Sequence, residues 1–273
     1  MCFKYIGLPH FLVLLSFLQF IMSATSCTVK EDRDLCPSLL ELDFFRGDAF
    51  RLSEGIRIGL DYEGTQIRDT VLYESSEDNF AYDEPIYTWK TTVPRTSMIV
   101  SAVWPTDACV GSGNDAIVKI RPGYDCPRVW MYVTEVSAEC DFHIVDVILH
   151  KNYCELSVSV RNISGEDFPF RMELRGNVCG YSCDGTPLSG LFVTPFEDNV
   201  CLPRQIDNSL RLDVISDDDT VCSFAIGNYI EASGYDWSSE DLKDIAMEID
   251  YARTSFKFRI GLWEKKVNFE VVI

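Results

Sequence analysis

Apolar and polar residues alternate with a period of two along most of the chain. In the first such segment, Leu40, Leu42 and Phe44 are separated by Glu41 and Asp43. Because successive side chains of a β-strand point to opposite faces, this alternation predicts a strand that buries one face. Similar runs of alternating or β-branched residues predict further strands at 56–60, 98–104, 117–120, 129–133, 142–149, 154–160, 168–174, 210–215, 245–251, 256–262 and 267–273.

Helical patterning is almost absent from the sequence. Residues 238–243 form a candidate short helix or turn, in which Ser238 and Asp241 fit a capping pattern. A strand with a single apolar face buries that face best against a second sheet. We therefore predict an all-β protein built from β-sandwiches.

The length of the chain and a break in the strand pattern predict two domains. A chain of 273 residues can hold two compact domains. Polar and small residues at 135–141 separate two strand-rich halves, and each half is long enough for a sandwich of about seven strands. The predicted domains are an N-terminal sandwich at 38–140 and a C-terminal sandwich at 141–273.

Residues 1–26 have the features of a cleaved signal peptide. Lys4 precedes an apolar run at 11–22. This run is too short for a membrane span, which needs about 20 apolar residues, but it fits the apolar region of a secretory signal. Ala24 and Ser26 then supply small side chains at the positions that a signal peptidase recognises. The sequence therefore predicts export from the cytoplasm.

Cleavage after this leader would make Cys27 the first residue, and two interpretations follow. The protein is either simply secreted, or it is a bacterial lipoprotein whose Cys27 thiol carries lipid. The segment resembles a lipoprotein signal, although Ala24 stands where Leu is most common. We predict the lipoprotein, in which several acyl chains on one residue hold the protein firmly at the membrane. Residues 27–37 are polar and charged, and they are predicted to form a solvated tether.

The acidity of the chain restricts its direct partners. The sequence carries 24 Lys and Arg against 43 Asp and Glu, which gives a formal net charge of −19 at pH 7. Phosphate groups would be repelled by this charge. We therefore predict no nucleic-acid partner, and contact with the membrane only through the lipid.

Candidate catalytic and metal-binding groups are few. His143 and His150 lie seven residues apart in one predicted strand, so they are expected on opposite faces and cannot share a metal ion. The acidic run at 217–219 lacks the alternating spacing of a calcium loop. Nine cysteines follow Cys27 without any CxxC pair, and most are expected to be buried thiols. We predict no enzyme activity, no metal site and no cofactor other than the covalent lipid.

Two short motifs and the tryptophans suggest contacts with sugars. Thr70 and Thr220 each lie in an Asp-Thr-Val tripeptide that resembles the acceptor of bacterial O-glycosylation. Both threonines are therefore candidate modification sites. The five tryptophans could stack on sugars, but their positions within or beside apolar strands favour packing in a core.

A set of short segments between residues 27 and 273 carries a resemblance to a known family. The segments lie at 27–33, 36–37, 40–44, 168–171, 175–180, 184–187, 202–204, 228–237, 249–251 and 261–264. In order and spacing they are similar to the FimB-like fimbrial anchor lipoproteins of type V pili. The resemblance implies two transthyretin-like β-sandwiches in tandem. It also implies a role at the base of the fimbrium, where the subunit fixes the filament in the outer membrane, is exposed at the cell surface and limits filament length.

The implied partners are fimbrial stalk or accessory pilin subunits, and Cys27 is the implied lipid acceptor. A sandwich can bind a neighbour when one strand joins the edge of another sheet. The last predicted strand is a candidate for donation, with its apolar face formed by Val267, Phe269, Val271 and Ile273. The alternative is that this strand completes its own sheet.

Two other functions remain open at this stage. A surface glycan-binding lipoprotein would expose several tryptophan faces to solvent. A secreted hydrolase would use paired carboxylates, for which the many acidic residues provide candidates but no recognisable arrangement.

Overall fold

A computed structural model of the chain describes residues 36–45, 55–71, 85–109, 116–163, 165, 170–182, 184–196, 198–216, 219–252 and 255–268. Residues 38–273 form one compact unit, and residues 1–37 form another. The described part of the chain is nearly all β-structure. Its strands are β1 (Ser38–Phe44), β2 (Ile56–Tyr62), β3 (Thr65–Val71), β4 (Tyr87–Val93), β5 (Ser97–Trp104), β6 (Ala116–Lys119), β7 (Trp130–Ser137), β8 (Phe142–Val147), β9 (His150–Lys151), β10 (Tyr153–Asn162), β11 (Arg171–Ser182), β12 (Pro187–Pro195), β13 (Asn199–Pro203), β14 (Arg211–Ser216), β15 (Asp219–Phe224), β16 (Ile245–Ala252), β17 (Ser255–Ile260) and β18 (Trp263–Asn268), and its helix is α1 (Ile226–Ala232).

The first hydrophobic core lies between two sheets. In the β1 sheet the strand order is β4–β1–β8, and in the β2 sheet it is β3–β2–β5–β7–β9. Leu40, Leu42 and Phe44 of β1 are fully buried. They pack in one cluster with Ile58 and Leu60 of β2. The alternation in the sequence therefore predicts correctly which face of β1 and of β2 is buried.

The second core lies between two further sheets. The β11 sheet has the order β12–β11–β14–β15, with β6 also paired to β11, and the β10 sheet has the order β13–β10–β16–β17–β18. Met247 and Ile249 of β16 and Phe256 and Phe258 of β17 are buried in this core, as predicted. Leu262 was expected to continue this apolar face, but it is fully exposed because β17 ends at Ile260 and a turn follows. The prediction of an all-β chain with two sandwiches in tandem is confirmed.

Three strands pair across the sequence position where the domain boundary is predicted. β8 and β9 follow residue 140 but pair with β1 and β7, respectively, whereas β6 precedes that position and pairs with β11. The β6 pairing depends on Gly180, because a Cβ atom there would lie 2.0 Å from the carbonyl oxygen of Val118. The division into 38–140 and 141–273 stays a prediction.

Aromatic rings connect the two cores. The ring centroids of Trp104 and Trp130 are 4.7 Å apart, and those of Trp130 and Tyr153 are 5.1 Å apart. Trp130 packs against both clusters, and Trp104 and Tyr153 belong to the first and the second cluster, respectively. The two sandwiches therefore share a continuous apolar contact within residues 38–273.

Residues 238–243, where a short helix or a turn is predicted, hold no helix: Ser238 lies in a turn and 239–241 form a bend, in line with the turn alternative. The sequence did not predict the α-helix at Ile226–Ala232. The irregular segment between α1 and β16 is held in place by side chains of other elements. Within the described ranges, no helix is long and apolar enough to cross a bilayer.

Candidate functional site

Most of the residues predicted to carry the function lie outside the described part of the chain. Cys27, the predicted lipid acceptor, is one of them, and Phe269, Val271 and Ile273 are the others. Their assigned roles therefore stay predictions. What the structure does describe is the sheet that directly follows the predicted tether and the strand that precedes 269–273.

The β1 sheet places the start of the sandwich at its centre. β1 pairs with β4 on one side over seven residues and with β8 on the other side over six. The inner side chains Leu40, Leu42 and Phe44 have no exposed surface. On the outer face, Lys90 forms an ion pair with Glu41 at 2.6 Å, and the Thr88 hydroxyl donates to Asp43 at 2.6 Å. The first described strand after Cys27 in the sequence is therefore held on both edges and on its inner face.

Val267 lies in β18, the outermost strand of the β10 sheet, where it faces Phe256 across the pair. It is partly buried and packs against the second core. Lys265 of the same strand lies opposite Phe258, which places it on the core-facing side of the edge, and it is exposed. An added strand would bury this charge, so the described part of β18 is protected from accepting one. Donation of residues 269–273 stays a prediction.

The two threonine candidates both lie on outermost strands. Thr70 is exposed on β3, and its neighbour Asp69 accepts the indole N–H of Trp89 at 2.9 Å. That bond joins the β3 edge of one sheet to the β4 edge of the other. Thr220 lies in β15, and its side chain is outside the description. Glycosylation at either residue remains a prediction.

The tryptophans pack as core residues. Trp104 is buried, and Trp89, Trp130, Trp237 and Trp263 are partly buried against the two cores. Trp263 contacts Tyr229 of α1 with ring centroids 5.2 Å apart. None of the five tryptophans is among the exposed residues, whereas the glycan-binding interpretation requires several exposed tryptophan faces.

The two histidines occupy separate strands and have structural partners. His143 lies in β8, and its Nε2 atom accepts the backbone N–H of Cys140 at 3.1 Å. His150 lies in β9, and its Nδ1 atom is 3.1 Å from Asp241. Within the described residues there is no group of three side chains that could hold a metal ion.

The thiols inside the second core are poorly suited to chemistry. Cys126 and Cys154 are buried, and both are free thiols. Burial raises the pKa of the Cys154 thiol to about 12 and that of Cys109 to about 11. Since the thiolate is the reactive species, these groups stay protonated and inert at neutral pH.

The segment between α1 and β16 is fixed by one arginine. The Arg204 guanidinium donates to the backbone oxygens of Trp237, Ser239 and Glu240 at 2.5, 2.7 and 3.1 Å, and to the Asn152 side chain at 3.0 Å. Sequence reasoning did not identify this residue. Nothing in its short motif, Leu-Pro-Arg, indicates that its hydrogen-bond partners are backbone carbonyl groups far away in the sequence.

Two open grooves lie on the second sandwich. One, of about 510 Å³, is lined by Tyr235, Asp236, Asp244 and Leu262 among others. Its polar groups are already paired: the Tyr235 hydroxyl donates to the Lys243 backbone oxygen at 2.6 Å, Asp236 accepts from Ser238, and Asp244 accepts from Lys151. The other groove, of about 380 Å³, has an apolar floor that includes Val160, Phe170, Met172 and Phe196. Neither groove presents a recognisable catalytic arrangement.

Comparison with known proteins identifies the fold. No protein-family model matches the chain, and no curated protein matches it. Among solved structures, the fimbrial anchor protein Mfa2 from Porphyromonas gingivalis aligns with a TM-score of 0.58 and 10% identity, over 84% of this chain and 99% of that one. The chain has the fold of a fimbrial anchor protein.

Two other similar structures come from related bacteria. A candidate polysaccharide-binding protein from Bacteroides thetaiotaomicron aligns with a TM-score of 0.59 and 13% identity, over 85% of this chain and 98% of that one. A candidate adhesin from Bacteroides ovatus aligns with a TM-score of 0.55 and 11% identity, over 88% of this chain and 97% of that one. These neighbours are described as fimbrial, adhesin or polysaccharide-binding proteins and not as enzymes. The resemblance found in the sequence is confirmed at the level of the fold.

Proposed function

We propose that this chain is a non-catalytic fimbrial anchor and assembly subunit. It is held in the outer membrane by lipid on Cys27, exposed at the cell surface, and it limits the length of a type V filament. The shared fold with a fimbrial anchor protein is the observation that carries this proposal. The partners are pilin subunits, which it contacts by strand addition.

The position of β1 supports an anchoring role. Ten residues, 28–37, separate Cys27 from β1, and a fully extended segment of that length spans at most about 35 Å. A pulling force (load) that a filament exerts on the β-sandwiches would reach the tether through β1. Because β1 is paired with β4 over seven residues and with β8 over six, the load acts on many backbone hydrogen bonds together. A central strand resists such a load better than a terminal strand at an edge would.

Co-purification with filaments tests the proposed function directly. Outer membranes are solubilised in detergent, filaments are isolated, and this chain is quantified in them by mass spectrometry. The expected result is a small, constant amount of the chain per filament, and deletion of its gene is expected to give overlong or shed filaments. Filaments that lack the chain and keep their normal length after deletion would contradict the proposal.

A surface glycan-binding lipoprotein is the second candidate function, because one structural neighbour is described as a candidate polysaccharide-binding protein. The packing of all five tryptophans against the two cores, with Trp104 buried and the other four partly buried, argues against it. Purified protein is titrated with soluble polysaccharide while tryptophan fluorescence is recorded. Saturable quenching would favour glycan binding, and an unchanged spectrum is expected for the anchor.

A further inference from the structure

The open edge of β8 exposes a row of apolar side chains. Phe142 and Ile144 in this strand are 45% and 55% exposed, and Ile148 just beyond it is 45% exposed. Among the described edge strands, no other exposes more than one large apolar side chain. Soluble proteins rarely leave such rows uncovered, so this edge has the character of a partner surface.

Four of the other seven outermost strands of the described sheets carry features that block pairing, whereas β4 and β15 resemble β8 in having a single charged residue and no proline. β18 has Lys265 and Lys266, and β12 begins and ends with proline, at Pro187 and Pro195. β9 and β13 have two and five residues, respectively. Charges, prolines and shortness are the usual means by which edges avoid unwanted strands. β8 has a single charged residue, Asp146, and no proline.

The backbone of β8 is oriented to accept another strand. The carbonyl oxygens of Asp141 and Val147 accept hydrogen bonds from Leu39 and Phe45, so they point towards β1 and its continuation. Because these groups alternate along a strand, the N–H and C=O groups of Phe142, Ile144 and Asp146 point the other way. No described strand pairs with that side of β8.

Two negative charges beside the β8 edge favour a binding partner that carries a positive charge. Asp146 lies directly across from Asp43 on the outer face of the β1 sheet. Neither carboxylate forms an ion pair with a described Lys or Arg, although Asp43 accepts a hydrogen bond from Thr88. Two like charges facing each other are unfavourable unless a cation joins them. A second copy of this acidic chain would add negative charge there, whereas a basic partner residue would relieve the repulsion.

We propose that the β8 edge binds an extended segment of a fimbrial subunit by strand addition. The segment places apolar side chains beside Phe142 and Ile144 and a Lys or Arg beside Asp146. This inference rests on the proposed function, since it takes the partner to be a fimbrial subunit. In this arrangement a pulling force on the filament would pass from the added strand through β8 to β1 and then to the tether.

Site-specific photo-crosslinking tests where the partner lies. A photoreactive phenylalanine analogue, p-benzoylphenylalanine, replaces Ile144 in the full-length chain expressed in its own cells. The matched control carries the same replacement at Leu191 of β12, a 59% exposed apolar residue on another outermost strand. The expected result is a crosslink from position 144, but not from 191, to a fimbrial subunit. A crosslink to a second copy, to an unrelated protein or to nothing would overturn the assignment of β8.

A charge substitution gives a quantitative second measurement. Ile144→Lys should reduce the amount of the chain recovered with purified filaments at least about tenfold, because an added strand would bury the ammonium group. Leu191→Lys should leave recovery unchanged. Both side chains are exposed, so thermal unfolding should differ little from wild type and will show whether each variant is folded. If the wild-type chain and the Ile144→Lys variant are both recovered with filaments, the β8 inference fails while the anchor function stands. If the wild-type chain is absent from filaments, the proposed function itself fails.

Discussion

Arg204 shows how a single side chain can fix an irregular segment. Its guanidinium donates to the carbonyl oxygens of Trp237, Ser239 and Glu240, which belong to no helix or strand. From the opposite side, the Asp241 carboxylate accepts the backbone N–H of Lys151 at 2.6 Å. Burial acts to raise the pKa of Asp241, but the hydrogen bonds from Lys151 and His150 outweigh it and lower the pKa below its usual value. The segment is therefore ordered by contacts from distant residues.

Replacing Arg204 with alanine should lower the free energy of unfolding by about 3 kcal/mol, because several partly buried carbonyl oxygens lose a charged donor together. Arg204→Lys should recover part of the loss, since an ammonium group reaches fewer of these oxygens. The control is Arg161→Ala, which removes an exposed ion pair with Glu248 and should cost less than about 0.5 kcal/mol. Urea unfolding followed by circular dichroism measures all three. Equal losses for Arg204→Ala and Arg161→Ala would show that the arginine does not fix the segment.

The thiols should differ sharply in reactivity. Iodoacetamide applied to folded protein at pH 8 should alkylate the exposed Cys140 and leave Cys126 and Cys154 unmodified. A thiol with a raised pKa becomes reactive only as the pH approaches that value, so Cys154 should remain protected until the pH approaches about 12 or the protein unfolds. Peptide mass spectrometry locates the modified residues, with urea-denatured protein as the control. Rapid labelling of Cys154 in folded protein at pH 8 would contradict the buried core.

Among the elements, β6 depends most clearly on a single backbone position. Gly180 has a φ of +151°, and a Cβ atom there would collide with the backbone at Val118. Gly180→Ala should therefore lower the free energy of unfolding by about 3 kcal/mol, by straining the backbone and displacing β6. Gly64→Ala is the matched control: its φ is +76° but nothing lies within 4 Å, so only about 1 kcal/mol is expected.

Denaturant midpoints for the two glycine variants decide this point, and hydrogen exchange at Val118 reports whether β6 has detached. If Gly180→Ala costs no more than Gly64→Ala, the close approach of β6 to β11 is not required for stability.

Which strands form could be predicted from the sequence more readily than which strands pair. The spacing alone predicts the buried face formed by Leu40, Leu42 and Phe44, because the two-residue period of a strand is a local feature of the sequence. The pairing of β8 with β1 and of β6 with β11 joins residues far apart along the chain, and no local pattern specifies it. Several strands with mixed or polar composition, such as β3, β4 and β12, lacked the alternation and were missed.

The candidate site could be predicted only in part from the sequence. The leader, the tether and the lipid on Cys27 were predicted from composition and residue order, and they stay predictions. The β8 edge did leave a signal, since Phe142, Ile144 and Ile148 are apolar at positions that alternate with the inward-facing residues. The opposite side chains, including Val145 and Val147, are apolar as well, so the sequence did not reveal which face would be exposed. That distinction required the position of β1.

Taken together, the two sandwiches form an acidic body with little recognisable chemistry. Their cores meet at Trp130, and the fold is shared with a fimbrial anchor protein at only 10% identity. The backbone fold is therefore similar although most of the aligned residues differ. Under the proposed function, such a chain acts through its attachment at one end and its contact edges.

Replacing Cys27 with serine in the native strain tests this attachment. The variant retains the leader and the whole β body but cannot accept lipid on a thiol. We expect the variant to be exported and folded, with filaments found mainly in the culture medium and not in the outer-membrane fraction, as measured by quantitative immunoblotting for pilin. Filaments that remain in the membrane fraction of cells producing the exported Cys27→Ser protein would contradict a lipid-held anchor.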